Sequence, residues 1–165
     1  MRGLFLLLVM LLAMVVGAQN KYVKQGDKLM RKFRFEQAAA QYKKAVDADA
    51  NNIEAWEKLA NAFTTMADYK SAEAIYQALA NNTSARPVNK FYYGQVLRIN
   101  GKYADAAKAY KQFATASPND PRAAEFKNFE EDIRPLQEDN KVYEFATLPE
   151  NSPASELGPA YNAGK

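Results

Sequence analysis

The apolar positions of this chain recur with a period of 34 residues in three consecutive segments, which begin at Gln19, Ile53 and Pro87. A period of this length is typical of helical hairpins that stack on one another. Small residues stand at the eighth and twentieth positions of each segment, and tyrosine stands at the twenty-fourth. The recurring sets are Tyr22, Trp56 and Lys90; Gly26, Ala60 and Gly94; Leu29, Phe63 and Leu97; Ala38, Ala72 and Ala106; and Tyr42, Tyr76 and Tyr110.

Each recurring position has a reason in helix packing. Two antiparallel helices approach closely only where the residue at their crossing is small, and a large ring four residues later lies on the same face. We therefore interpret the members of these sets as repeat-packing residues. The exceptions are Leu29, Phe63, Leu97 and Lys90. The pattern predicts six helices, at about 20–32, 36–48, 54–66, 70–80, 88–99 and 104–116.

A seventh helix is predicted over the stretch "DPRAAEFKNFEEDI". Phe126, Phe129 and Ile133 fall on one apolar stripe, and polar residues cover the rest of the surface. Such a helix would cover the last hydrophobic face of an open-ended stack of hairpins. We expect Pro135 to end it, because proline lacks the N–H that a helix interior needs.

The repeat resembles the tetratricopeptide repeat family. The resemblance covers residues 19–120 and implies an all-α, right-handed solenoid of three hairpins, 19–52, 53–86 and 87–120, followed by a capping helix at 121–134. Phe33 departs from the family pattern, because it stands where the turn usually has glycine. Leu79 and Phe113 replace an expected alanine, and only Pro118 keeps the closing proline.

The N-terminal stretch "MRGLFLLLVMLLAMVVGAQ" predicts a signal peptide at residues 1–18. Its apolar run, from Leu4 to Val16, is shorter than the roughly twenty residues that cross a bilayer. Small residues at Val16-Gly17-Ala18 favour cleavage after Ala18, and an uncleaved anchor is the alternative. Because the chain has no cysteine, export without disulfides favours a bacterial periplasm.

The charges are nearly balanced, which argues against nucleic acid as a partner. Without Arg2 the chain has 21 basic and 19 acidic residues. Residues 19–50 carry a net charge of +4, whereas residues 121–165 carry −4. We interpret these as ordinary solvated faces; the alternative is an acidic tail that rests on the basic first helices.

The composition excludes most catalytic sites. With no histidine and no cysteine, the chain lacks the usual nucleophile-base pairs and the common ligands of zinc and iron. The candidates for an acid-base pair are Asp27, Glu54 and Glu57. The acidic run from Glu130 to Asp132 is no candidate, because adjacent residues of a helix point in different directions and cannot converge on one site. We therefore predict no enzyme, no cofactor and no metal.

Surface shape remains as the functional feature. In tetratricopeptide repeats the first helix of each hairpin lines a concave groove, so the resemblance implies a protein-binding groove. Family members that clamp a C-terminal carboxylate have lysine and asparagine where this chain has Val23 and Asp27, so that clamp is absent. The implied groove residues are Val23, Asp27, Met30, Arg31, Glu57, Asn61, Thr64, Thr65, Phe91, Gln95, Arg98 and Ile99, and we regard Phe91 and Arg98 as anchors.

The last residues resemble the approach to a β-propeller. The passage "LPENSPASELGPAYNAGK", after a signal peptide and these repeats, is similar to OmpA-family outer-membrane proteins of Bacteroidetes, including the PorE-like component of type IX secretion and gliding. There the repeats precede PD40 propeller repeats and an OmpA-like domain that binds peptidoglycan. We interpret residues 135–165 as a tail or linker to such a propeller; a simply disordered tail is the alternative.

Together these features predict a non-catalytic scaffold in the periplasm, associated with the outer membrane through partners or through a missing domain. Its partners would be envelope proteins or peptides. The alternative is a free-standing periplasmic protein that binds peptides or glycans.

The signal-peptide interpretation is tested by the mass of the exported chain. We expect the mature N-terminus at Gln19, because the small residues before it fit signal peptidase. Mass spectrometry of the protein from an envelope fraction measures this. A chain that retains residues 1–18 would favour the uncleaved anchor.

Overall fold

The computed structural model describes residues 21–137, and side chains up to 135. The predicted signal peptide and the tail after residue 137 lie outside this range. None of the described helices is both long and apolar enough to cross a membrane. The helices are α1 (21–30), α2 (Phe35–Ala48), α3 (Ile53–Thr65), α4 (Tyr69–Asn81), α5 (Val88–Ile99), α6 (Tyr103–Ala116), α7 (Pro121–Glu125) and α8 (Phe129–Gln137).

The first six helices form three hairpins, which confirms the all-α solenoid predicted from the repeat. Their bounds agree with the predicted ones to within two residues. Side-chain caps begin two of them: the Asn52 carboxamide accepts from the Ala55 N–H, and the Asp68 carboxylate accepts from the Ser71 N–H. These caps pair backbone donors that the first turn of a helix leaves free.

A tyrosine ring packs on a glycine in the first and third hairpins. A Cβ placed on Gly26 would lie 2.4 Å from the Tyr42 ring, and one on Gly94 would lie 2.6 Å from the Tyr110 ring. Both rings are buried, with 2% and 1% of their surface exposed. The second hairpin has Ala60 at this position, also buried. The small residues therefore set the distance between the two helices of a hairpin.

The turns inside the three hairpins share one backbone geometry. One residue in the turn after each first helix is left-handed, with φ of 58° at Phe33, 58° at Ala67 and 76° at Gly101. In the first turn the Phe33 N–H bonds to the Met30 carbonyl and the Arg34 N–H bonds to the Leu29 carbonyl. This is a Schellman C-cap, whose left-handed position favours glycine. Only the third turn has glycine there.

The core divides into two clusters that meet at α5. The first two hairpins share one cluster, which Val96 of α5 joins. Phe91 and Leu97 of the same helix belong to the second cluster, with α6, α7 and α8. The ring centroids of the capping residues Phe126 and Phe129 lie 4.6 Å and 5.0 Å from the ring centroid of Tyr110. Leu79 and Phe113, the departures from the repeat pattern, are buried.

The prediction of one capping helix was wrong, because the segment forms two. α7 ends at Glu125 and α8 begins at Phe129. The intervening turn still lets both Phe126 and Phe129 contact the core, as the single stripe required. Pro135 lies inside α8 instead of ending it. The missing N–H removes one hydrogen bond to the preceding turn, but the backbone on both sides stays helical.

Gly94→Ala tests the close contact between α5 and α6. Alanine alone would raise helix stability by about 1 kcal/mol. The buried Tyr110 ring leaves no room for its Cβ, so overpacking should reverse the sign and lower the free energy of unfolding by about 1–2 kcal/mol. Thermal unfolding measures this. The reverse change Ala60→Gly removes a buried methyl group and should cost about 1 kcal/mol of helix propensity and about 1 kcal/mol of lost burial. A more stable Gly94→Ala variant would contradict the prediction.

Candidate functional site

Two adjoining depressions form a groove on one side of the hairpins. The smaller has a volume of about 340 Å³ and is lined by residues of α1, α2 and α3. The larger has a volume of about 580 Å³ and extends across α3 and α4 to α5. Lys58 and Asn61 line both depressions, so the two are continuous. We call this surface the groove; its lining residues are Asp27, Met30, Arg31, Tyr42, Glu54, Glu57, Lys58, Asn61, Thr64, Tyr76, Arg86, Asn89 and Tyr92.

Asp27 joins the first two hairpins at one end of the groove. Its Oδ1 accepts from the Tyr42 hydroxyl at 2.8 Å and from the Lys58 ammonium at 2.7 Å. Partial burial by itself would raise the pKa of Asp27, but the hydrogen bonds from Lys58 and Tyr42 outweigh it and lower the pKa below its usual value. Burial and the Asp27 charge raise the pKa of Tyr42. The carboxylate is therefore held ionised and the phenol protonated.

Glu57 joins the second hairpin to the third at the other end. The Arg86 guanidinium donates from Nε and Nη2 at 3.1 Å and 2.6 Å, and the Asn89 carboxamide donates at 2.7 Å. Asn89 is 1% exposed, so its partner satisfies a polar group that would be costly to bury alone. Glu57 therefore fixes the loop before α5 against α3.

Two tyrosine rings line the larger depression together with the Glu57 cluster. The rings of Tyr76 and Tyr92 are 5.7 Å apart, and both line the larger depression. Burial raises the pKa of Tyr76 to about 12, so its hydroxyl stays a hydrogen-bond donor at neutral pH. Tyr92 is 39% exposed. The groove thus offers an exposed apolar ring beside fixed donors and acceptors.

The structure brings together six of the predicted groove residues: Asp27, Met30, Arg31, Glu57, Asn61 and Thr64. Val23 and Phe91 differ from the prediction, because both are buried in the core. Phe91 contacts Phe113 and Phe126, each with a ring-centroid distance of 5.4 Å, so it packs the capping helices and is no surface anchor.

Four other predicted residues lie outside the two depressions. Thr65 and Ile99 are exposed, and the exposed Arg98 donates to the half-buried Gln95 at 2.9 Å. Their part in binding stays a prediction.

Sequence reasoning missed Lys58, Arg86, Asn89 and Tyr92. Lys58 and Tyr92 occupy the sixth position of their repeats, one residue beyond the position expected to face the groove. Asn89 offered a signal, since an asparagine on a buried helix face requires a polar partner. The partner Glu57 is 32 residues away, and only the stacking of the hairpins brings the two together.

The carboxylates of the groove are paired with cations. Asp27 and Glu54 lie 2.7 Å and 3.6 Å from the Lys58 ammonium, and Glu57 is held by Arg86. Lys58 pairs with Asp27 of another hairpin and with Glu54 of its own helix, and Arg86 holds Glu57 from the loop before α5. The three groups proposed as acid-base candidates thus have a structural use. Within residues 21–137 no group of three potential metal ligands comes together.

The sequence matches known repeat families over this fold. Residues 20–66 match the family described as TPR repeat, and residues 65–121 match the one described as Tetratricopeptide repeat. The chain therefore carries tetratricopeptide repeats across all three hairpins. A search of curated protein sequences returned no match.

Solved structures share the same fold at low sequence identity. The first TPR of Spaghetti (RPAP3), bound to the HSP90 peptide SRMEEVD, is 19% identical with a TM-score of 0.63, covering 71% of this chain and 94% of its own. MamA is 20% identical with a TM-score of 0.64, and the match covers 72% of this chain and 69% of MamA. A third similar structure is the Yersinia enterocolitica type III secretion chaperone SycD in complex with a peptide of the translocator YopD. It is 16% identical with a TM-score of 0.62, and the match covers 72% of this chain and 94% of SycD.

Asp27→Asn tests the polar cluster that joins the first two hairpins. Losing the charge-assisted bonds to Lys58 and Tyr42 should lower the free energy of unfolding by roughly 1–2 kcal/mol at pH 7. Because the folded pKa of Asp27 is lowered, its contribution is complete above the unfolded pKa of about 3.9 and is lost as the pH falls through the folded value.

Denaturant unfolding between about pH 7 and pH 2 measures this effect, and the two proteins should converge in acid. Asp47→Asn is the matched control, since Asp47 pairs with Lys43 on the exposed surface and should change stability by less than about 0.5 kcal/mol. Equal effects of the two substitutions at pH 7 would contradict the structural role of Asp27.

Proposed function

We propose that this protein is a non-catalytic scaffold that docks a segment of another protein in the groove. The observation that carries the proposal is the continuity of the groove across three hairpins, with two tyrosine rings and two fixed polar clusters in its lining. A partner chain gains affinity by burying apolar side chains against such rings, while fixed hydrogen-bonding groups set its orientation. The mixed charge of the lining favours a partner with both polar and apolar side chains.

Peptide binding by proteins of similar fold supports this class of partner. Spaghetti is bound to an HSP90 peptide, and SycD to a peptide of a translocator. We do not propose an acidic C-terminal peptide as the partner here. The Asp27 carboxylate lies in the groove, and a second carboxylate beside it would be repelled.

We further propose an envelope location. The N-terminal stretch supports export to the periplasm, and the C-terminal resemblance supports a relative of the Bacteroidetes OmpA-family proteins with PD40 repeats. In that setting the groove would hold envelope proteins in type IX secretion, gliding or cell-wall anchoring. The alternative is a free-standing periplasmic protein that binds peptides or glycans, which the exposed Tyr92 ring favours as a stacking surface.

A photo-crosslinking amino acid at Asn61 tests the groove directly. Asn61 is exposed and lines both depressions, so a docked segment would lie within reach. Irradiation of intact cells should yield a defined adduct with an envelope protein. The same amino acid at Ala78, exposed on α4 and outside the groove, is the matched control.

Adduct formation should also fall when Thr64→Arg fills the larger depression. Crosslinking from Ala78 equal to that from Asn61, or an adduct unaffected by Thr64→Arg, would remove the groove as the docking site.

The same cells distinguish the two envelope functions. A scaffold should fractionate with outer membrane and cell wall, and a blot would give a band much larger than 18.5 kDa if a propeller follows. A free-standing binder should be released by osmotic shock.

A further inference from the structure

One end of the solenoid carries a dense group of basic residues. Lys21, Lys24 and Lys28 lie within an arc of about 60° on α1, opposite the face that packs on the core. Lys32 and Arg34 follow in the turn to α2, and all five are exposed. None of them pairs with a carboxylate among residues 21–137. We call these five residues together with Phe33 the basic tip.

Phe33 projects from the centre of the turn. It is 81% exposed, and its φ of 58° is unfavourable for a bulky side chain. The equivalent residues of the other hairpins are Ala67 and Gly101, so only the first turn carries a ring here. A phenylalanine therefore occupies a position where glycine would satisfy the backbone better, which points to a use for the ring itself.

The surface beside Phe33 is also apolar in part. The ring meets that of Phe35 edge to face at 6.1 Å, and both border a shallow depression of about 470 Å³ that Met66 also lines. A partner that accepts this surface must match several cations and one projecting ring. Arg34 of the basic tip lines the same depression, together with Glu36 and Gln37.

We propose that the basic tip binds the surface of a bilayer that contains anionic phospholipids. Lysine is a flexible point charge, which suits a fluid array of headgroups, whereas fixed pairs with carboxylates favour the planar fork of arginine. Four of the five cations are lysines. Each basic residue near an anionic leaflet strengthens binding about fivefold, and an aromatic ring at the interface adds apolar contact.

The basic tip is separate from the groove. No residue of the basic tip lines the groove, which is lined by Asp27 and Met30 of α1, by Arg31 and by residues of α2 to α5. A scaffold that rests on the membrane through α1 would keep its groove free for a protein. The two proposals therefore fail independently: loss of vesicle binding leaves the groove in place, and loss of crosslinking at Asn61 leaves the tip in place.

Vesicle co-sedimentation of the mature chain, residues 19–165, tests the proposal without the apolar N-terminal stretch. We expect binding to phosphatidylcholine vesicles with roughly one third phosphatidylglycerol, little binding to phosphatidylcholine alone, and weaker binding as salt screens the charges. Lys24→Glu/Lys28→Glu should weaken binding by at least about twentyfold, from two contributions of about fivefold each. Lys70→Glu/Lys127→Glu is the matched control, because it changes the net charge by the same amount at exposed positions outside the basic tip. This variant should bind vesicles nearly as tightly as the unchanged protein does.

Phe33→Gly separates the ring from the fold. Glycine relieves the left-handed backbone, so this variant should unfold at a higher temperature and yet bind vesicles less tightly. Ala67→Gly is the matched control, which should gain stability in the same way without any change in binding.

Three results would overturn the proposal. One is equal binding to neutral and anionic vesicles, and another is unchanged binding after Lys24→Glu/Lys28→Glu. The third combines two observations. The chain does not bind vesicles, and zero-length crosslinks join the α1 lysines either to carboxylates of residues 138–165 or to an acidic protein. That result would assign the basic tip to the acidic end of this chain or to a protein partner.

Discussion

The contact of a tyrosine ring with a small residue is the constraint on which the rest of this structure depends. Tyr42 and Tyr110 close against glycines of the preceding helix, and no Cβ fits between. Because the ring fills the space that a side chain would occupy, the two helices of the hairpin lie at a fixed distance and angle. The next hairpin then packs on a surface of defined shape, and the groove inherits its curvature from that repetition.

Polar pairs between hairpins complete what this packing begins. Asp27 reaches Lys58 in the next hairpin, Glu57 reaches Asn89, and Glu73 accepts from Asn100 and Lys102. The partners stand 27 to 32 residues apart, close to one repeat period. The apolar core therefore sets the distance between hairpins, while these pairs fix their register and line the groove with groups that already have partners.

The sequence predicted the elements that depend on local pattern. Ala72 and Tyr76 could be assigned to the packing face because their sizes recur in every repeat. Phe91 could not be placed correctly, because its environment is created in part by Phe126, which lies between α7 and α8 beyond the repeats. The break between α7 and α8 left no signal either, since Phe126 and Phe129 fit a continuous helix as well as two short ones. The polar pairs of the groove were missed because each joins residues a full repeat apart.

The stacking of helices on their neighbours in the chain has a consequence for how the protein forms. Most contacts between different helices in the described residues join consecutive helices, so few distant segments must find one another. Low contact order of this kind is typical of rapid folding. In the first and third hairpins Tyr42 and Tyr110 can close on Gly26 and Gly94 as soon as the second helix of the hairpin leaves the ribosome. The chain can therefore be assembled in the order of its synthesis, and each finished hairpin serves as the template for the next.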